Sequence, residues 1–287
     1  MAVLSFAVDP SKLSLQNSVL TLAQLECTPS ADDGLPAALE QELRALGCEL
    51  IQSAGSLLRL PQVAMATAQV LLQRYYYTAS LKLASVLDIA MGAVFLAAKV
   101  EEQQCRVKDI VNVFCWLIDT YRGITPRVET YTMGARFNDL KEGMAAGEMR
   151  ILCKLGFNVQ VQQPHGFMIN YMQSLDIAEN EELAQTAWNY LNDGLRTHIY
   201  VCYQPSTIAG AAIYLAARVH GVKLPTAPPW WEVFDIELTD MDDIAGHLVA
   251  LYGRTPSKGL PLTLDELERY VDQLEARERL ASANLKP

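Results

Sequence analysis

Apolar residues recur along this chain at helical spacing, in blocks separated by prolines, glycines and short polar runs. After Pro36, the residues Leu39, Leu43, Leu46 and Leu50 fall at i, i+4, i+7 and i+11, a stripe along one helix face. Pro61 opens a second helix, in which Gln62, Gln69 and Gln73 share a face opposite Val63, Ala66, Val70 and Leu71. Residues 84–101 are apolar nearly all round, the pattern of a helix surrounded by others. Val107, Ile110, Phe114 and Leu117 mark a helix at 107–119, and another at 139–155 stops at Gly156, in the position where glycine ends many helices. Residues 159–166, with Pro164, read as a linker. Beyond it the spacing predicts helices near 167–175, 181–200, 206–220, 240–252 and 264–280. Thr239 with Asp242, and Thr263 with Glu266, have capping-box spacing. Alternating strand patterns are nearly absent, so the class is all-α.

Part of the pattern is written twice. Residues 89–100 read IAMGAVFLAAKV, and 119 residues later residues 208–219 read IAGAAIYLAARV. The same offset sets Thr67 against Thr186, Ala68 against Ala187 and Leu72 against Leu191. A preceding helix and its loop therefore recur with no change of length. The period exceeds that of solenoid repeats and predicts two tandem five-helix domains, each built round an alanine-rich central helix. The chain divides into an N-terminal leader (1–35), a first domain with its N-terminal helix (36–160), a second domain (161–256) and a C-terminal helix and tail (257–287).

Composition narrows the function. The 287 residues carry 23 Lys+Arg against 33 Asp+Glu, a net charge of −10, with no run of basic residues. That balance works against a nucleic-acid binder, which releases counterions with clustered cations. Six cysteines show no CxxC pair, the histidines are scattered, and the N-terminus lacks a signal-peptide pattern. A reduced, soluble intracellular protein without metal or cofactor is the expectation. Phosphate loops, HExxH, GxSxG and EF-hand spacing are missing, so no enzyme chemistry is expected. Trp230-Trp231 reads either as an exposed anchor or as a short helix plugging the second domain, the second being the plainer reading. His198 continues an apolar face and reads as a core histidine, and Cys105 as an inert thiol.

Four charges break the local rules. Lys99 ends an otherwise apolar helix, where a cation suits the dipole. Glu101 and Glu102 follow it and oppose that dipole. Glu148 sits among Leu140, Met144, Ile151, Leu152 and Leu155, in a stripe where a carboxylate needs a partner or a rim position. Lys99 and Glu148 together suggest a pair at the edge of an apolar surface.

VFLAAKVEE in the first repeat and IYLAARVHG in the second resemble the double cyclin fold. The stretches LGCELIQSAG (46–55), LLRLPQVAMATAQVLLQRYYYTAS (57–80) and QTAWNYLNDGLRTHIYV (185–201) are similar to the cyclin L branch, over roughly residues 36–255. The resemblance implies a regulatory subunit with no chemistry of its own, whose first domain docks the C-helix of a PITSLRE-type cyclin-dependent kinase. It implies action in the nucleus, in transcription and pre-mRNA splicing, with splicing factors or a third regulatory subunit as further partners. It places kinase contacts at Lys99, Glu148, Leu96, Glu102, Phe157 and Val159. An elongation cyclin of the K or T type is the near alternative, and a TFIIB-like nucleic-acid adaptor the distant one.

Overall fold

Proline and serine set much of the helix punctuation in the computed structural model, which describes residues 17, 19–125, 134–254 and 259–284. Two short helices, α1 (Leu22–Glu26) and α2 (Pro29–Asp32), precede α3 (Ala37–Leu57) and α4 (Gln62–Tyr76). Pro36 and Pro61 stand as the N-caps of α3 and α4, where a missing N–H costs nothing. Then come α5 (Val86–Val100), α6 (Val107–Tyr121) and α7 (Ala135–Lys154). The chain continues through α8 (Pro164–Ser174), α9 (Glu181–Gly194), α10 (Ile199–Cys202) and α11 (Pro205–His220). It ends with α12 (Trp230–Val233), α13 (Leu238–Tyr252) and α14 (Leu264–Asn284). Every regular element among the described residues is a helix.

The chain forms two compact units, one of residues 26–158 with 256–287, the other of 1–25 with 159–255. In the first unit α5 is central and α3, α4, α6 and α7 pack around it. Ala90, Ala93, Ala97 and Ala98 of α5 are all buried. The closest crossing, however, is made by glycine. A Cβ on Gly92 would lie 2.4 Å from the Glu148 nitrogen, and one on Gly147 2.2 Å from the Asp88 carbonyl oxygen. Asp88 also lies against Gly143, so α5 and α7 run in the same direction with their C-terminal ends side by side. Residues 26–35 belong to this unit: Leu35 is buried and Ser30 Oγ accepts from the Leu81 N–H at 3.1 Å. So does α14, preceded by a segment whose Leu262 carbonyl accepts the Leu87 N–H of α5 at 3.3 Å. Thr263 and Glu266 form the expected capping box, each side chain bonded to the other's region of backbone.

The second unit repeats the plan, with α11 central among α8, α9 and α13 and with Ala209, Ala211, Ala212, Ala216 and Ala217 buried. Its α9 and α11 begin 119 residues after α4 and α5.

Four local expectations change. The helix predicted over 181–200 is two, since α9 ends at Gly194 and a turn through Thr197 intervenes before α10. Pro164 opens α8 rather than lying in a linker. Thr239 caps nothing: α13 starts one residue earlier, with Glu237 as a cap that makes no side-chain bond. The glutamine face of α4 is buried, because α3 supplies partners; Gln69 Nε2 donates to the Cys48 carbonyl at 3.0 Å and to Gln52 Oε1 at 3.1 Å. Trp230 is buried in α12, the plug form of the two readings.

Candidate functional site

The sequence puts Lys99 and Glu148 on different helices, and the glycine crossing brings them together. Gly92 holds α5 against Gly147, so Glu148 starts at the crossing itself, and Lys99 reaches back from two turns further on. Lys99 Nζ and Glu148 Oε1 form an ion pair. The Lys99 side chain is 51% exposed and that of Glu148 14%. Lys99 Nζ also lies 4.1 Å from the centroid of the Phe95 ring, one turn earlier, a cation–π contact that sequence reasoning missed. The carboxylate is mostly covered by the protein while the ammonium end lies at the surface, so Glu148 fixes the position in which Lys99 is presented for recognition.

Around the pair the chain makes two tight, left-handed turns. Glu101 caps α5, and its carboxylate accepts from Thr67 Oγ1 at 2.8 Å. Glu102 follows with φ +55°, exposed to solvent. After α7, Gly156 closes the helix at φ +57°, as expected of it, and Phe157 follows at φ +62°. Phe157 is 68% exposed, and Met149 of α7 is also exposed. Leu96 faces inward and is buried. Val159 begins the other unit and is half-buried. Lys99, Glu148, Glu102 and Phe157 thus share the C-terminal ends of two parallel helices, with Leu96 beneath.

The second unit has a partial copy. Arg218 lies over the Tyr214 ring at 4.8 Å, as Lys99 does over Phe95. Among the described residues it takes no ion pair, and burial, then the nearby α13 carboxylate Asp242, raises the pKa of Tyr214. Thr186 Oγ1 and His220 Nε2 stand 2.8 Å apart.

Other candidate chemistry resolves into packing. His165 lies 3.1 Å from Asn192 Oδ1 and edge-on to Trp188, and burial lowers its pKa. His198 stacks edge-on with His247 at 4.4 Å. Burial, then Asp109, pushes the Cys105 thiol up, away from the thiolate a reactive cysteine needs. Among the described residues, no group of three or more His, Cys, Asp or Glu could hold a metal, and no helix is long and apolar enough to cross a membrane.

A family model described as "Cyclin, N-terminal domain" matches residues 18–160. Cyclin-L1 of Rattus norvegicus is 41% identical over 273 residues, 95% of this chain and 51% of the relative. Cyclin-L1 of Homo sapiens is 43% identical over 242 residues, 84% of this chain and 46% of the relative. Cyclin-L2 of Rattus norvegicus is 40% identical over 277 residues, 96% of this chain and 52% of the relative. The chain thus spans about half the length of the curated relatives it matches. Among solved structures, a chain of the yeast RNA Pol II CTD kinase CTDK-1 complex matches with TM-score 0.67 at 15% identity, over 92% of this chain and 85% of that one. A chain of the CAK complex of Chaetomium thermophilum bound to ATP-gamma-S matches with TM-score 0.54 at 22% identity, over 77% and 66%. These likenesses concern the fold.

Proposed function

From the premise that this chain belongs to the cyclin family, we propose that it is a non-catalytic regulatory subunit that binds and activates a cyclin-dependent kinase of the PITSLRE type. The kinase's mobile C-helix docks against the C-terminal ends of α5 and α7. Lys99 and Glu148 bond groups at the end of that helix, while Leu96, Phe157 and Val159 offer apolar contact and Glu102 a further polar one. A helix seated on an apolar surface and fixed by a few polar groups is a known recognition mode. Pushed inward, the C-helix brings its glutamate to the ATP-contacting lysine, the step that completes a kinase site.

The observation that carries this reading is the Lys99–Glu148 pair, whose half-exposed ammonium is held by a mostly covered carboxylate at a glycine crossing. The kinase complexes to which the solved neighbours belong support the partner class, and similarity to cyclins L supports the PITSLRE type. We place its action in the nucleus, in transcription and pre-mRNA splicing, on the same similarity.

The test is binding of a purified PITSLRE-type kinase to the wild-type chain and to a Lys99→Ala, Glu148→Ala double variant. Hot-spot truncations cost about 2 kcal/mol or more, so Kd should rise at least roughly tenfold and kinase activation should fall with it. The melting temperature should change little, because removing both partners together leaves no covered charge without its counter-ion. Full binding and activation by the double variant would remove the assignment.

A further inference from the structure

Near the docking pair, one buried hydroxyl ties the end of α5 to α4. Thr67 is fully buried on α4, and its Oγ1 donates to Glu101 Oε1 at 2.8 Å. Glu101 is the cap of α5, two residues beyond Lys99. A carboxylate there faces the negative end of the helix dipole, and a donor offsets that conflict. The next residue, Glu102, holds a left-handed turn (φ +55°) that suits glycine better. The turn is closed by Glu102 N–H to the Lys99 carbonyl at 3.2 Å and Gln103 N–H to the Ala98 carbonyl at 2.7 Å.

The second unit ends its central helix by the same plan with less demanding residues. At the 119-residue offset, Gly221 (φ +66°) stands where Glu102 does, and Val222 N–H reaches the Ala217 carbonyl as Gln103 reaches Ala98. Thr186 stands where Thr67 does and hydrogen-bonds His220, the counterpart of Glu101. A tie between this threonine and the end of the central helix therefore occurs twice, to the cap Glu101 in the first unit and to the last helical residue, His220, in the second. Among the described residues, only in the first unit does it hold an opposed carboxylate beside a non-glycine turn, and only there does the cation two residues before that carboxylate pair with an acid, Glu148 of α7.

We infer that Thr67 is a positioning residue for kinase docking: its hydroxyl holds Glu101, which fixes the turn at Glu102 and the direction in which Lys99 and Glu102 leave the helix. The inference rests on the docking reading above. With the donor removed, the turn samples other conformers, and only the fraction in the docking conformation binds, which raises the apparent Kd.

Thr67→Val removes the donor at constant shape, and Thr67→Ser keeps it. Amide hydrogen exchange at Glu101, Glu102 and Gln103 reads the tie without any kinase. Thr67→Val should speed exchange at all three by about threefold or more, and Thr67→Ser should restore it. Kd for a purified PITSLRE-type kinase should rise about three- to tenfold in Thr67→Val and recover in Thr67→Ser. In a Lys99→Ala background the same substitution should add less than about twofold, because the two residues act through one contact. Glu101→Ala breaks the tie from the accessible side, and should match Thr67→Val if the valine variant folds poorly. Unchanged exchange in either variant, or faster exchange with unchanged Kd, overturns the inference. Wild-type affinity in Lys99→Ala alone would sink the docking reading instead, leaving exchange to judge the tie.

Discussion

A methyl group on Gly147 would lie 2.2 Å from the Asp88 carbonyl, and the obstacle is backbone, which cannot swing aside. Gly147→Ala should therefore force α5 and α7 apart and destabilise the protein by about 1–3 kcal/mol, read from urea unfolding. Because Glu148 moves with its helix, kinase binding should weaken as well. Gly166 of α8 meets nothing within 4 Å of an added Cβ, so Gly166→Ala should leave stability unchanged or raise it by about 0.4–1 kcal/mol. An effect on stability at Gly147 no worse than that at Gly166 would show that the crossing tolerates a Cβ. At this scale the sequence revealed charges more readily than contacts. Lys99 and Glu148 stood out because each interrupts an apolar stripe. Phe95 beneath Lys99 did not, since an aromatic in a buried helix looks like core. Alanines mark the central helix of both repeats, whereas in the first the closest approach is made by the glycines Gly92 and Gly147. The burial of Gln69 leaves no mark in sequence, because its partner is a backbone carbonyl of another helix.

Helix ends hold most of the strain and most of the specificity in the first unit. Glu102 holds a left-handed backbone that costs a side-chain-bearing residue about 1–2 kcal/mol. Glu102→Gly should then stabilise the isolated chain by about 0.5–1 kcal/mol in thermal unfolding, after glycine's entropy is counted, while lowering kinase affinity. A variant that is both less stable and fully competent to bind would contradict the role of that turn. At the other end of the same unit, Thr263→Ala should cost about 1 kcal/mol by removing the capping oxygen of α14. Helix periodicity placed the long helices well, and the fixed offset of the repeat placed their partners, because both signals are carried by apolar residues that must be buried. Where a helix stops inside an apolar run it left no such signal. The break after Gly194 depends on how Ile199 and Leu248 pack against that glycine, and the start of α13 at Leu238 displaced a capping box that the residue spacing alone would allow.

For the molecule as a whole, alkaline pH is the sharper titration. Burial pushes the phenols of Tyr76 and Tyr200 well above their ordinary value, near 10. The unfolded chain ionises them first, so the folded state holds more protons and stability falls as pH rises through about 10 and beyond. Buried Arg74 acts the other way. Burial lowers its pKa to about 10, so between there and its ordinary range the folded state loses a proton that the unfolded chain keeps. Two fully buried phenols outweigh one guanidinium, and the urea midpoint should drop above about pH 10. Phenolate absorbance from these two residues should appear together with loss of helix by circular dichroism. Full tyrosine ionisation while helicity persists would disprove their burial.

The first unit also has a consequence in time. Its α14, and the segment that carries Leu260 and Leu262 into the core, are translated only after residues 159–255. At about 5–20 residues per second, that delay is roughly 5–20 s. By its end α3 to α7 are outside the ribosome, while the Leu87 N–H still lacks its Leu262 acceptor. A chain released anywhere in that interval would carry Lys99 and Glu148 intact on a domain missing its clasp. Completion of the second domain thus becomes a checkpoint for the first, and an interrupted message yields a docking surface without the scaffold that keeps it rigid.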